Sequence, residues 1–266
     1  MTKVLIRGGG DLGSGIALRL FRAGLKVAIF EIANPLVLRR TVAFANAIYL
    51  GKMQVEEVKS QRAENLEQVF DLLDQNMIPV FIKSDPVLHN SFPFEIVVDA
   101  RMLKEVVPYK LNAHPYIIGL GPGFTAPVNC HAAIETNRGH FLGRVILKGS
   151  PETDTRKPGA IANQDIERVL RAPKSGIIHS GLGLGTLVVK NTSVAYVNDT
   201  PVVAPISGIL RGLMHDGIQV AQGIKIGDVD PRADKRYLDF VSEKSLAIAG
   251  GVLEAILATG KFNQWN

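Results

Sequence analysis

Apolar residues follow two rhythms along this chain, and the change between them falls near residue 125. The first half begins with a continuous apolar run, Val4-Leu5-Ile6, which reads as a strand buried on both faces. Leu12, Ile16, Ala17, Leu20 and Phe21 then recur at helical spacing, and Val27-Ala28-Ile29-Phe30 forms a second strand ending on Glu31. Asn34-Pro35 reads as a helix start carrying Leu36, Arg39 and Arg40. Ala47-Ile48-Tyr49 and Met53-Gln54-Val55 read as short strands, and residues 64–75 as an amphipathic helix through Leu66, Val69, Phe70 and Leu73. Three further apolar runs follow: Ile78–Ile82, Ile96–Val98 leading to Asp99-Ala100-Arg101, and Tyr116–Leu120 leading to Gly121-Pro122-Gly123-Phe124. Strands alternating with helices predict an α/β fold, with a Rossmann-like parallel sheet over residues 1–125.

Beyond that point the pattern predicts a β-rich domain over residues 126–240. Ala132–Glu135 and Gly143–Leu147 are strand candidates, and residues 149–165, rich in Pro, Gly and polar side chains, read as a loop or lid. Ala172-Pro173-Lys174-Ser175-Gly176-Ile177-Ile178 returns thirty-two residues later as Ala204-Pro205-Ile206-Ser207-Gly208-Ile209-Leu210. The repeat predicts a quasi-twofold module over about residues 165–232. With Gly217-Ile218-Gln219-Val220-Ala221-Gln222-Gly223 it is similar to the barrel-sandwich hybrid (hammerhead) of biotinyl and lipoyl carriers. The hairpin Val194–Pro201, where those carriers place a modified lysine, has no lysine, which argues against a swinging arm. Residues 241–266 close the chain with a helix over Ser242–Leu257, whose Gly250-Gly251 pair suits close packing on the N-terminal domain.

The chemistry concentrates where strands end. Gly8, Gly10 and Gly13 satisfy G-x-G-x-x-G between a strand and a helix, with Glu31 eighteen positions after the last glycine. Such a turn brings backbone and a helix N-terminus to a pyrophosphate, and the acid accepts hydrogen bonds from unphosphorylated ribose hydroxyls. A glycine turn that only closes a βαβ unit is the plainer alternative. Asp11 opens the helix, while Asp99, Arg101, Gly121 and Gly123 fall at other strand ends and complete a candidate cofactor-binding set with Arg138. Gly121–Gly123 suits a phosphate cradle or an ordinary type II turn. In Glu135-Thr136-Asn137-Arg138-Gly139-His140, Arg138 and Arg144 are anion clamps and Glu135 and His140 candidate proton carriers; a charged surface turn is the alternative. Cys130 is a candidate nucleophile or persulfide or selenium acceptor, against the plainer reading of a small buried side chain, because adjacent Cys130 and His131 point to opposite faces of a strand. Asp228 and Asp230 share one side of an extended segment beside Arg232, which suits a turn with a local ion pair better than a magnesium ion. His89, His114, His179 and His215 lack metal-site spacing, and no metal is expected.

Composition changes this picture little. The chain has 266 residues, 46% apolar and 21% charged, and a net charge of +5 without a basic stripe. These values point away from nucleic acid and toward an anionic, nucleotide-bearing small molecule. One cysteine excludes internal disulfides. Met-Thr-Lys-Val leads at once into a strand, without leader or spanning segment, so a cytoplasmic protein without a membrane partner is expected. A homo-oligomer stays open.

Ile6–Gly15, Val98–Arg101, Gly119–Phe124, Ile134–His140, Leu142–Ile146, Gly227–Arg232 and Ala249–Ala255 together carry a resemblance over nearly the full length. The chain resembles the YqeB-type accessory family of selenium-dependent molybdenum hydroxylase systems, distantly akin to XdhC-type maturation factors. That resemblance implies an accessory factor that binds a nucleotide or pterin dinucleotide and assists molybdenum cofactor or selenium insertion into a client hydroxylase. It implies no assigned reaction, so whether the protein is an enzyme stays open. Its cofactor is then NAD or a molybdopterin-type dinucleotide. The alternatives are an NAD-dependent oxidoreductase of small-molecule metabolism and a non-catalytic docking module for the client.

Overall fold

The structure is a computed structural model that describes residues 1–83, 93–111, 115–153 and 167–260. The chain folds as two compact units, one of Met1–Pro35, Ala43–Thr155 and Val241–Asn266, the other of Leu36–Val42 and Arg156–Phe240.

The first unit is built on a nine-stranded sheet. In chain order its elements are β1 (Lys3–Arg7), α1 (Asp11–Arg22), β2 (Lys26–Glu31), α2 (Ala47–Leu50), β3 (Lys52–Val55), β4 (Val58–Ala63), α3 (Leu66–Asp74), β5 (Ile78–Ile82), β6 (Ile96–Asp99), β7 (Tyr116–Leu120), β8 (Ala132–Ile134) and β9 (Val145–Ile146). The strands lie in the order β3-β4-β5-β2-β1-β6-β7-β8-β9, with β4 to β8 joined in parallel and only the edge strands β3 and β9 antiparallel. Val4, Leu5 and Ile6 are wholly buried in the middle of this sheet, which is why β1 reads as an unbroken apolar run. Strands β8 and β9 lie beyond residue 125 yet hydrogen-bond into the same sheet.

Two local expectations are corrected. Ala47–Leu50 is a helical turn, not a strand, because Gly51 at φ +77° stops the chain and returns its N–H to the Ala47 carbonyl. No helix follows Asn34-Pro35; only short 3₁₀ turns form, at Arg40–Val42 and Phe44–Asn46. The segment Leu36–Val42 is instead pinned within the second unit, where Leu38 accepts from Leu213 N–H and Thr41 Oγ1 donates to the Leu238 carbonyl. By contrast α3 begins as its sequence suggests, with the Asn65 side chain accepting from Gln68 N–H and Gln68 returning its own side chain to Glu64 N–H.

The second unit is antiparallel. Its elements are β10 (Val169–Arg171), β11 (Gly176–Ser180), β12 (Leu187–Val188), β13 (Ser193–Val197), β14 (Thr200–Val203), β15 (Gly208–Leu213), β16 (Gln219–Val220), β17 (Lys225–Asp230) and α4 (Arg236–Asp239). They form two four-stranded sheets, β10-β17-β15-β12 and β14-β13-β11-β16. The thirty-two-residue repeat relates the two sheets. Gly176 pairs with Val220 as Gly208 pairs with Val188, and Leu170 with Gly227 as Val202 with Ala195. Even the register shift near Leu170/Arg171 has its counterpart near Ser193/Ala195. Each sheet takes its two central strands from one copy and its two edge strands from the other, so neither half can close alone.

Asp228 and Asp230 of β17 lie in a buried ion-pair network, as their alternation with Arg232 suggested. Arg168 Nη1 is 2.7 Å from Asp228 Oδ2, Arg211 bridges Asp228 and Asp230, and Arg232 closes on Asp230 at 2.6 Å. Arg232 also lies over the Tyr237 ring, 3.7 Å from its centroid.

The chain returns to the first unit as α5 (Glu243–Ala258), capped by the Ser242 side chain on Ser245 N–H. This helix packs along α1, with Gly15 directly against Ser245: a Cβ on Gly15 would stand 2.5 Å from that of Ser245. The chain is thus a mixed α/β protein with a largely parallel sheet, two antiparallel sheets and a C-terminal helix. Among the described residues no helix is long and apolar enough to cross a membrane.

Candidate functional site

The glycine turn begins as β1 ends. Gly8 holds φ +93°, and its N–H donates to Phe30 O at 2.9 Å, tying the turn to β2. A Cβ on Gly13 would stand 1.9 Å from the Gly8 carbonyl oxygen, so only glycine lets the first turn of α1 lie on the loop. Gly9 is also confined, with Ile29 at 2.9 Å and the Ala45 backbone nitrogen at 3.0 Å from where a Cβ would be, both inside van der Waals contact. Its carbonyl accepts from Ser14 Oγ at 2.8 Å and from Ala45 N at 2.9 Å, while Ser14 Oγ accepts from Phe44 N. The 3₁₀ turn at Phe44–Asn46 therefore clamps the loop.

Gly10 is the N-cap of α1 and offers no side chain to the first-turn N–H groups, which have no partner inside a helix. They and the helix dipole make this end attractive to an anion. Glu31 folds back onto the turn. Its Oε2 accepts from Gly9 N–H at 2.7 Å and its Oε1 from Ile32 N–H at 2.9 Å, so the acid stands at the loop it was expected to serve. Asp11, on the first turn, accepts from Ser245 Oγ of α5 at 3.1 Å.

Asp99, at the end of β6, is fully buried and heavily engaged. Arg101 Nε donates to its Oδ1 at 3.0 Å and Arg101 Nη2 to its Oδ2 at 2.6 Å; the Tyr109 hydroxyl adds a bond at 2.9 Å, and Arg7 Nη1 approaches to 3.5 Å. Burial, followed by the Asp99 charge, pushes the Tyr109 phenol well above its usual range and keeps it a donor. The Arg101 stem runs along Gly8, 3.4 Å from where a Cβ would be. Gly8, Glu31, Asp99 and Arg101 thus gather at the C-terminal ends of β2, β1 and β6. Arg7, Ser14 and Tyr109 join them although sequence reasoning did not single them out. Arg7 had one available signal: an arginine closing an otherwise apolar central strand.

The remaining candidates lie along β7 and β8. Gly121, at φ +86°, and Gly123 are buried: a Cβ on Gly121 would meet Met102, and one on Gly123 would stand 2.5 Å from the Glu105 carbonyl. Asn129 braces the loop, donating to Val107 O and Gly123 O and accepting from Thr125 N. Glu135 is buried, one oxygen accepting from Asn137 N–H and the other from Glu152 N–H, both at 2.7 Å. Arg138 pairs with Glu243 at 2.6 Å on the surface, and His140 is exposed against the edge of Phe141. Cys130 is fully buried, and desolvation pushes its thiol up to about 12, which favours the neutral form. His131 turns away from it, accepting from Ile117 N–H and stacking on Tyr116. Among the described residues no hydrogen bond or ring contact joins Glu135, His140 and Cys130, and no group of three His, Cys, Asp or Glu could hold a metal. His89, His114 and most of the expected loop at 149–165 lie outside the described residues.

No family model matches the chain. Over 254 residues, 96% of its length, it is 44% identical to the Escherichia coli (strain K12) protein named "Uncharacterized protein YqeB". The match takes in 47% of that protein, so the chain spans about half the length of the curated relative it matches.

Proposed function

We propose that this chain, similar to YqeB over nearly its whole length, binds a nucleotide whose pyrophosphate rests on the turn Gly8–Gly13 and serves as an accessory factor in maturing a selenium-dependent molybdenum hydroxylase. The observation that carries the binding reading is the strand order. Setting aside β4, which joins in parallel on the far side of β5, the strands β5-β2-β1-β6-β7-β8 run in the 3-2-1-4-5-6 order that Rossmann dinucleotide folds use, and the turn lies where that order reverses, beside β1. On this reading Gly10 and the first turn of α1 receive the diphosphate. Glu31 exchanges its bonds to Gly9 and Ile32 for ribose hydroxyls. Arg101, held rigid by Asp99, meets a further anionic group. The ligand is NAD or a molybdopterin-type dinucleotide. The selenium and molybdenum context rests on the family resemblance alone, and the two related antiparallel sheets suit a hammerhead-like module that docks the client.

Titration calorimetry with NAD, NADP and pterin dinucleotides tests the binding step, repeated on Gly10→Val. Gly10 has φ −68°, open to any residue, so valine there obstructs the ligand's approach rather than the backbone. Binding by the wild type that is lost in Gly10→Val supports the reading, and no binding by any of the three overturns it.

A further inference from the structure

The second unit carries a charge imbalance that its fold does not require. Arg171 and Lys225 face each other directly across β10 and β17. Side chains so paired leave the same face of a sheet, and like charges at such positions destabilise it. The internal repeat supplies a control. The equivalent pair in the other sheet is Ser193 opposite Val203, which is uncharged, so the module's fold needs no cations at this register.

Neither cation has an ion-pair partner among the described residues. Arg171 donates from Nη1 to the Gly223 carbonyl at 2.9 Å and is otherwise exposed. Asp228, whose charge reaches Lys225, is already bonded to Arg168 and Arg211. Among the described residues around this sheet, Arg168, Arg211 and Arg232 share the carboxylates of Asp228 and Asp230, and Arg171 and Lys225 add two further cations beside them. Burial lowers the Lys225 ammonium below the ordinary lysine value, and Arg168, Arg211 and Arg171 press the same way against Asp228. An arginine edge beside a lysine point charge, both reachable from solvent, is the donor set that phosphoryl oxygens take up.

We propose that Arg171 and Lys225 form an oxyanion site of the second unit, which seats a phosphoryl group between guanidinium and ammonium. The site is independent of the glycine turn, and its ligand is a phosphoryl group, whether of free phosphate or of a nucleotide, which share this chemistry.

Acetylation of Lys225 in the full chain at low ionic strength, read by mass spectrometry, tests it with inorganic phosphate, pyrophosphate and AMP as probes. A bound dianion that raises the lysine pKa by about one unit cuts the reactive amine about tenfold, and labelling should slow by that factor. Protection by inorganic phosphate or pyrophosphate identifies a free-anion site, and protection by all three one that also accepts nucleotides. The effect should vanish in Arg171→Gln and persist in Gly10→Val, which separates this site from the turn. As a second reading, phosphate should raise the unfolding midpoint of the wild type but not of Lys225→Gln. Unchanged labelling with all three probes overturns the proposal. So does protection that survives in Arg171→Gln, that AMP alone provides, or that chloride at matched ionic strength reproduces.

Discussion

Gly250 and Gly251 are neighbours on α5, and the structure assigns them opposite responses to the same substitution. Alanine in place of glycine inside a helix is favoured by about 1 kcal/mol at either position. At Gly250 the new methyl would meet only the end of the Arg19 side chain, at 3.3 Å, which can swing away. At Gly251 it would stand 2.0 Å from the Gly143 carbonyl oxygen and 3.2 Å from Ile134, both held in place. Gly143 is itself pinned, at φ +81°, with its N–H on the Glu135 carbonyl and the Ala247 carbonyl oxygen 2.6 Å from where a Cβ on it would stand. The overpacked side must therefore move backbone by about an ångström, and overpacking of this kind costs about 1–3 kcal/mol.

Gly250→Ala should thus stabilise the first unit by up to about 1 kcal/mol, and Gly251→Ala should destabilise it by as much as about 2 kcal/mol. Urea unfolding followed by circular dichroism, with the two variants compared at equal slope, measures the difference. Because intrinsic propensity cancels between adjacent positions, the sign of that difference reports packing of α5 on the β8–β9 turn. Equal midpoints for the two variants, or a stabilised Gly251→Ala, would refute the close approach.

Asp99→Asn leaves the Arg101 and Arg7 guanidinium groups without their buried counter-charge and should lower stability by about 3 kcal/mol, measured by the same unfolding assay; Tyr109→Phe should cost about 1 kcal/mol. Cys130 should resist thiol reagents in the native state and react on unfolding. Its folded pKa of about 12 lies above the ordinary value near 9, so the unfolded chain loses its thiol proton first and stability should fall as pH rises between those values. The buried phenols act in the same direction, so the check is the slope difference between wild type and Cys130→Ala, at most about 1.4 kcal/mol per pH unit. If the glycine turn binds NAD, Glu31→Ala should weaken that binding about tenfold or more and narrow the gap to NADP, read by calorimetry.

The glycine turn was legible because three separate steric requirements fall on three residues. Gly8 needs a positive φ, Gly13 needs no Cβ against Gly8, and Glu31 needs a strand end, and each leaves its own mark on the sequence. The internal repeat was legible for a related reason, since both copies must turn at Gly176 and Gly208, where a Cβ would collide with Asn198 and with the Asp230 backbone. What escaped were features set by partners distant in sequence. Pro35 suggested a helix, but Leu38 and Thr41 find their hydrogen bonds some 175 and 197 positions later, and those outweigh local propensity. Asp99 resembled a ligand residue by its place at a strand end, and only the fold reveals Arg7 and Tyr109, 92 and 10 positions away, on the same carboxylate.

That distinction bears on what the site can do. A carboxylate bound by two arginines and a tyrosine is a poor candidate to accept a ribose hydroxyl, yet it holds Arg101 along Gly8 in one orientation. The Glu31 carboxylate, by contrast, is held among the described residues by the two backbone N–H groups of Gly9 and Ile32, which can be released without stranding a buried charge. The two acids that looked alike as sequence are therefore divided by their partners. Asp99 is a fixed strut that aims a guanidinium at the turn, and Glu31 is the acid that the proposed nucleotide would draw away from its backbone donors.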